Sequence, residues 1–186
     1  MSKNSLKNKI KFYLIRIYRL TFASKKHKEV VWKDLKIMFS SLGCKHGIYE
    51  REKYIETSFL IGEDVIADYY YLIYEDYFHC RVDVLKDYPE DFVTELFILS
   101  THLNNILNIG VVVVDVKENA VLYYEKKPLL VPFLYNGNLH AQLSGHYKTS
   151  KDVYAAFHRL VQENEAPAII IADLLSKWNY DYDNGN

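Results

Sequence analysis

Cysteine and histidine stand together twice in this chain, as Cys44-Lys45-His46 and as His79-Cys80, and the four side chains equal in number the ligands of a tetrahedral metal site. Their spacing matches no zinc finger. His79 and Cys80 are neighbours in an alternating stretch, and adjacent strand residues point to opposite faces, so they cannot share one ion. No metal is expected. His140 and His146 flank a stretch rich in breakers, where a histidine could exchange protons near neutral pH, but no carboxylate or nucleophile stands at an informative spacing beside them. His102 lies among Thr101, Asn104 and Asn105 on the polar side of a helical pattern and reads as solvated. Glu63-Asp64 and Glu75-Asp76 fall in turns, where short polar side chains serve the turn itself. The sequence holds no P-loop, no G-x-S-x-G, no H-E-x-x-H and no G-x-G-x-x-G after a strand. No catalytic residue and no cofactor are expected, which makes a protein-binding or regulatory module the leading function class, a membrane-surface accessory protein the second and an enzyme of unknown reaction the third.

Charge is where the chain is most uneven. Residues 1–28 hold nine Lys/Arg and no acid, whereas the remainder carries fourteen bases against twenty-four acids. A basic arm on an acidic body follows. Within the arm, Leu6, Ile10, Tyr13, Leu14, Ile17 and Leu20 share one helical stripe, and Lys7, Lys9, Lys11, Arg16 and Arg19 fall outside it. Such a helix could dock on this protein's own body, lie on an anionic membrane surface or enter a partner's groove. Nucleic acid is the weakest partner, because the acidic body would repel phosphates. Arg16 and Arg19 interrupt the apolar run and no cleavage pattern follows, so a signal peptide is not expected. Two cysteines do not make a disulfide framework, and a cytoplasmic location is the default.

Elements that could position a binding surface are legible from periodicity. Ser24 to Glu29 reads as a linker, and Trp32, Leu35, Phe39 and Leu42 step by three and four in a helix over 30–42 that Gly43 ends. Strands are predicted over 54–62, 66–74 and 77–85. In the third, Phe78, Cys80, Val82 and Val84 alternate with His79, Arg81 and Asp83, as in a sheet with one wet face. Seventeen tyrosines and nine phenylalanines suit such a sheet. Tyr69-Tyr70-Tyr71 places tyrosines on both faces, and Tyr69 and Tyr71 are candidate partner contacts. Pro89-Glu90-Asp91 opens a helix whose apolar face is Phe92, Val93, Leu96, Phe97, Ser100, Leu103 and Leu107, closed by Gly110. A hairpin follows over 111–126. Pro132, Asn136-Gly137 and Gly145 predict irregular structure over 128–147. Thr149 and Asp152 resemble a capping box before a closing helix, which Pro167 should kink or break. Residues 179–186 read as a disordered tail.

The expected fold is therefore α+β: an antiparallel sheet of about five strands with helices packed on one face, in the order α-βββ-α-ββ-α, preceded by the basic helix. The expected units are an arm and linker over 1–29, one domain over 30–178 and the tail. Leu103-Asn104-Asn105, then Gly110-Val-Val-Val-Val-Asp115, a short turn, Val121-Leu-Tyr-Tyr-Glu125 and a later helix containing Ser150-Lys-Asp-Val together resemble the YbjN family and the type III secretion chaperone-like fold over roughly residues 30–177. The resemblance implies a non-enzymatic protein that binds or regulates another protein, and it supplies no catalytic residues. It also implies self-association, to which exposed tyrosines would be suited.

Overall fold

Tyr77–Lys86, strand β4, shows how the sheet is sided. Phe78, Cys80 and Val82 are buried on one face, while His79 and Arg81 stand on the other. The alternation shifts at Val84, where the register against the neighbouring strand skips between Asp83 and Leu85, as one extra residue in a bulge requires. The computed structural model describes residue 14 and residues 24–43, 45–74, 76–129 and 136–183. Six strands pair antiparallel throughout: β1 (His46–Tyr49), β2 (Tyr54–Leu60), β3 (Ile66–Ile73), β4, β5 (Val111–Asp115) and β6 (Ala120–Pro128). Their spatial order is β1-β2-β3-β4-β6-β5, so the last hairpin joins the sheet through β6. The expected class holds, with one strand more than the five expected. The added β1 pairs His46 with Thr57 and Tyr49 with Tyr54.

Helices α1 (Ser24–Leu42), α2 (Val93–Ile106), α3 (Asn136–Gln162) and α4 (Pro167–Asp183) complete the fold. Val31, Trp32, Leu35 and Phe39 of α1 are buried, and the Phe39 ring lies 5.1 Å from that of Tyr71 on β3. Helix α1 starts at Ser24, inside the stretch expected to be linker. A 3-10 turn over Glu90–Phe92 precedes α2. Leu96, Leu99, Ser100 and Leu103 form its buried stripe, but Phe97 is 45% exposed, one residue off the stripe that the periodicity assigned to it.

The largest correction concerns residues 136–149, which are helical. Leu139, Leu143, His146, Ser150, Val153, Phe157 and Leu160 of α3 are all buried and step by four and three in turn. That periodic burial outweighs the roughly 1 kcal/mol that each helical glycine costs relative to alanine. Thr149 and Asp152 consequently cap nothing. Asp152 instead receives hydrogen bonds from Lys177 Nζ and from Trp178 Nε1 (2.8 Å), tying α3 to α4. The break expected at Pro167 lies at residues 163–166, and proline takes the first position of α4. Helix α4 runs on to Asp183, so residues 179–183 are not an irregular tail.

Asn104 fixes α2 to the outer strand. Its Nδ2 donates to the Val112 carbonyl (2.9 Å) and its Oδ1 accepts from the Val112 amide (2.7 Å), as a neighbouring strand would. The edge of β5 is thereby occupied at that residue. Asn104→Ala should lower the unfolding free energy by about 2 kcal/mol, since it strands two backbone groups at once. Urea titration would check this; a loss no larger than that of Asn105→Ala, an exposed neighbour, would refute it.

Candidate functional site

The helical side of the sheet is filled. Tyr69 and Tyr71 on β3 are fully buried there, with Tyr123 of β6 beside them. They are core residues, not the partner contacts expected, because odd-numbered positions of β3 face the helices. Tyr69 Oη shares a hydrogen bond with Ser150 Oγ on α3 (2.7 Å), and Tyr123 Oη donates to Glu125 Oε1 (2.7 Å). Burial raises the pKa of both phenols and also that of the Glu125 carboxyl. His146 stacks on Tyr123 at 5.1 Å and meets Tyr69 and Tyr71 edge-on. Neither of its ring nitrogens has a hydrogen-bond partner. His146 is thus a packed core histidine closed off from solvent, while His140 is exposed on the same helix. Among the described residues no group of three or more His, Cys, Asp or Glu is placed to hold a metal. Cys80 is buried on the helical face and His79 stands on the opposite one, as their adjacency requires.

The other face is uncovered among the described residues. Its residues follow from the strand register. One row across the sheet is Tyr49, Tyr54, Leu72, His79 and Lys126, and the next is Glu56, Tyr70, Arg81, Tyr124 and Val111. No helix of the described residues packs on it: the ring contacts of α1 and α3 with the sheet are made to Tyr69, Tyr71 and Tyr123. Tyr49 and Tyr54 stack at 4.3 Å, and Tyr54 and Tyr70 are 6.2 Å apart. Tyr74 and Tyr77 stack at 4.4 Å at the β3–β4 turn. The Arg81 guanidinium sits over Tyr70 (5.4 Å) and Lys126 Nζ over Tyr77 (5.3 Å), within the range of cation–π attraction. Tyr49 is 43% exposed and Tyr74 41%.

Acids on this face are already engaged. Glu56 Oε2 accepts from the Tyr54 hydroxyl (2.8 Å) and the Tyr49 hydroxyl (3.2 Å). Asp83 pairs with Arg81 and Lys86, and Asp68 with Lys86 and Ser58. His79 has a lowered pKa, first through burial and then through Lys126 and Arg81 nearby. The face thus combines stacked aromatic rings with paired charges. Clefts are also present among the described residues. One, about 440 Å³, lies between the β3–β4 strands and α3, lined by Val65, Ile66, Asp68, Asp83, Lys86, Tyr154 and His158 among others. Asp68 and Asp83 share that lining with His158, but both carboxylates pair with Lys86, and His158 lies 3.8 Å from Glu163. A second cleft, about 260 Å³, is lined by both Asp34 of α1 and His140 of α3.

Lys7, Lys9, Lys11, Arg16 and Arg19 lie outside the described residues, as do the flanks of Leu14. Sequence reading therefore named Tyr69 and Tyr71 and missed Tyr70 and Tyr124. The alternation fixes that Tyr70 opposes its neighbours, but only the placement of the helices decides which face is wet.

No protein-family model matches this chain, and no curated protein matches it. Its fold is similar to that of a chain in a solved structure titled "Crystal Structure of the ExsC-ExsE Complex", with a TM-score of 0.45 and 14% identity over 69% of this chain and 90% of that one.

Proposed function

We propose that the chain is a non-enzymatic module that binds another polypeptide through the open face of its sheet, a YbjN-like or secretion-chaperone-like role in keeping with the sequence resemblance. The observation that carries the reading is the open face itself, with the row Glu56, Tyr70, Arg81, Tyr124 and Val111 at its centre. Tyrosine and arginine are the residue types over-represented where interfaces concentrate their energy. Six strands at about 4.8 Å and seven residues at about 3.3 Å give a footprint on the order of 670 Å², comparable with the ~800 Å² a standard interface buries per partner. Attachment to an anionic membrane surface through residues 1–28 stands second, supported by their nine bases without an acid.

A photo-crosslinking residue placed at Tyr124, with a second placed at exposed His102 on α2, tests the reading in native cells. The expected result is one discrete polypeptide adduct from position 124 that is missing from position 102. Adducts of equal amount and identity from both positions, or none from 124, would overturn it. An adduct with a second copy of the chain would identify the partner as itself.

A further inference from the structure

The edges of the sheet and the charges of its open face together narrow what can sit there. Addition of a strand is the usual way a sheet takes a peptide, and it needs a free edge. Asn104 occupies the outer backbone groups of Val112 on β5, and β1 at the other edge is four residues long. The open face remains, and a face is covered as its opposite side is covered here, by the apolar stripe of a helix.

On that face the carboxylates are spent on tyrosine hydroxyls and on Arg81 and Lys86. Lys126 is different. Its ammonium lies over the Tyr77 ring, it is exposed, and no carboxylate among the described residues is within ion-pair reach. Across the strand pair stands His79, whose Nε2 is buried without a hydrogen-bond partner. Among the described residues, Lys126 over the Tyr77 ring and His79 against the Tyr124 ring are thus two nitrogen groups with no acid paired to them. We infer that the partner is an amphipathic helix whose apolar stripe lies on the tyrosine rows and whose flank carries a carboxylate to Lys126. This rests on the sheet-face reading above and adds to it the partner's secondary structure and charge. Lysine on an aromatic face rejects a basic helix by the same charge, so the chain's own basic segment is disfavoured as the occupant.

Two synthetic helical peptides that share one leucine stripe, flanked by glutamate in one and by lysine in the other, test the inference on the full chain by amide chemical-shift mapping and titration. The glutamate peptide is expected to shift the amides of Tyr70, Arg81 and Tyr124. Its Kd should rise about tenfold in Lys126→Glu, the loss of one charge-assisted contact, and stay unchanged in Lys117→Glu, an exposed turn position. Equal binding of the two peptides, or indifference to Lys126→Glu, would overturn the acidic partner and leave the sheet-face reading standing. A preference for the lysine peptide would overturn it and point to residues 1–23 as the occupant. If neither peptide moves the open-face amides, both the inference and the reading beneath it fail.

Discussion

Gly110→Ala is expected to lower the unfolding free energy by about 3 kcal/mol, and Gly43→Ala by only about 1 kcal/mol. Both glycines have positive φ, +65° at Gly43 and +87° at Gly110, a conformation that costs an L-residue roughly 1–2 kcal/mol. What differs is the space around them. A Cβ on Gly43, just past the end of α1, would meet nothing within 4 Å, whereas on Gly110 it would lie 2.5 Å from the Tyr123 ring. That ring cannot swing aside. It is fully buried, its hydroxyl is bonded to Glu125 with the Ile109 carbonyl at 3.1 Å, and His146 is stacked on it. Overpacking a rigid core site adds about 1–3 kcal/mol to the backbone strain. The consequence reaches the binding face, because Tyr123 and Tyr124 are consecutive on β6 and a displaced Tyr123 moves its neighbour. Denaturant unfolding of both variants checks the pair, and equal losses would show that the ring is free to yield.

The sheet was the most readable part of the chain because alternation of two is a strong signal where one face is wet. Strands expected over 54–62, 66–74 and 77–85 lie at Tyr54–Leu60, Ile66–Ile73 and Tyr77–Lys86. Strand β1 was invisible: His46-Gly-Ile-Tyr49 is too short for a period, and it exists through its pairing with β2. The first half of α3 was legible in principle. Leu139, Leu143, His146, Ser150, Val153 and Phe157 keep a strict four–three spacing, but His146 and Ser150 count as polar in any apolar pattern and Asn136-Gly137 and Gly145 count as breakers. The binding face was half legible. Alternation separates Tyr70 from Tyr69 and Tyr71, yet the side that helices cover depends on contacts between residues some eighty positions apart, such as Tyr69 with Ser150.

His146 makes the second large prediction, an acid sensitivity that a single substitution removes. Its imidazole is fully buried, meets the rings of Tyr69, Tyr71 and Tyr123, and has no hydrogen-bond partner at either nitrogen. Burial, with a smaller contribution from His79, lowers its pKa to about 3 from the ordinary 6.5, against a lesser upward pull from the Tyr123 backbone, which lies near the ring but out of good hydrogen-bond alignment. The folded state therefore takes up this proton far less readily than the unfolded chain does. The stability that comes from keeping the ring neutral is complete above pH 6.5 and is lost as the pH falls from there toward about 3. The slope is about 1.4 kcal/mol per pH unit, so roughly 3 to 4 kcal/mol separates pH 7 from pH 4. His146→Leu keeps a similar volume, removes both unpartnered nitrogens and should flatten that slope. Glu125 titrates in the opposite sense, since its raised pKa favours the folded state as the carboxyl protonates, but it is present in both proteins and largely cancels in the difference. The gap in unfolding free energy between His146→Leu and the parent chain should therefore widen in the variant's favour between pH 6.5 and pH 4, measured by denaturant titration at each pH. A gap that stays constant with pH would mean that the ring is hydrated or partnered in solution.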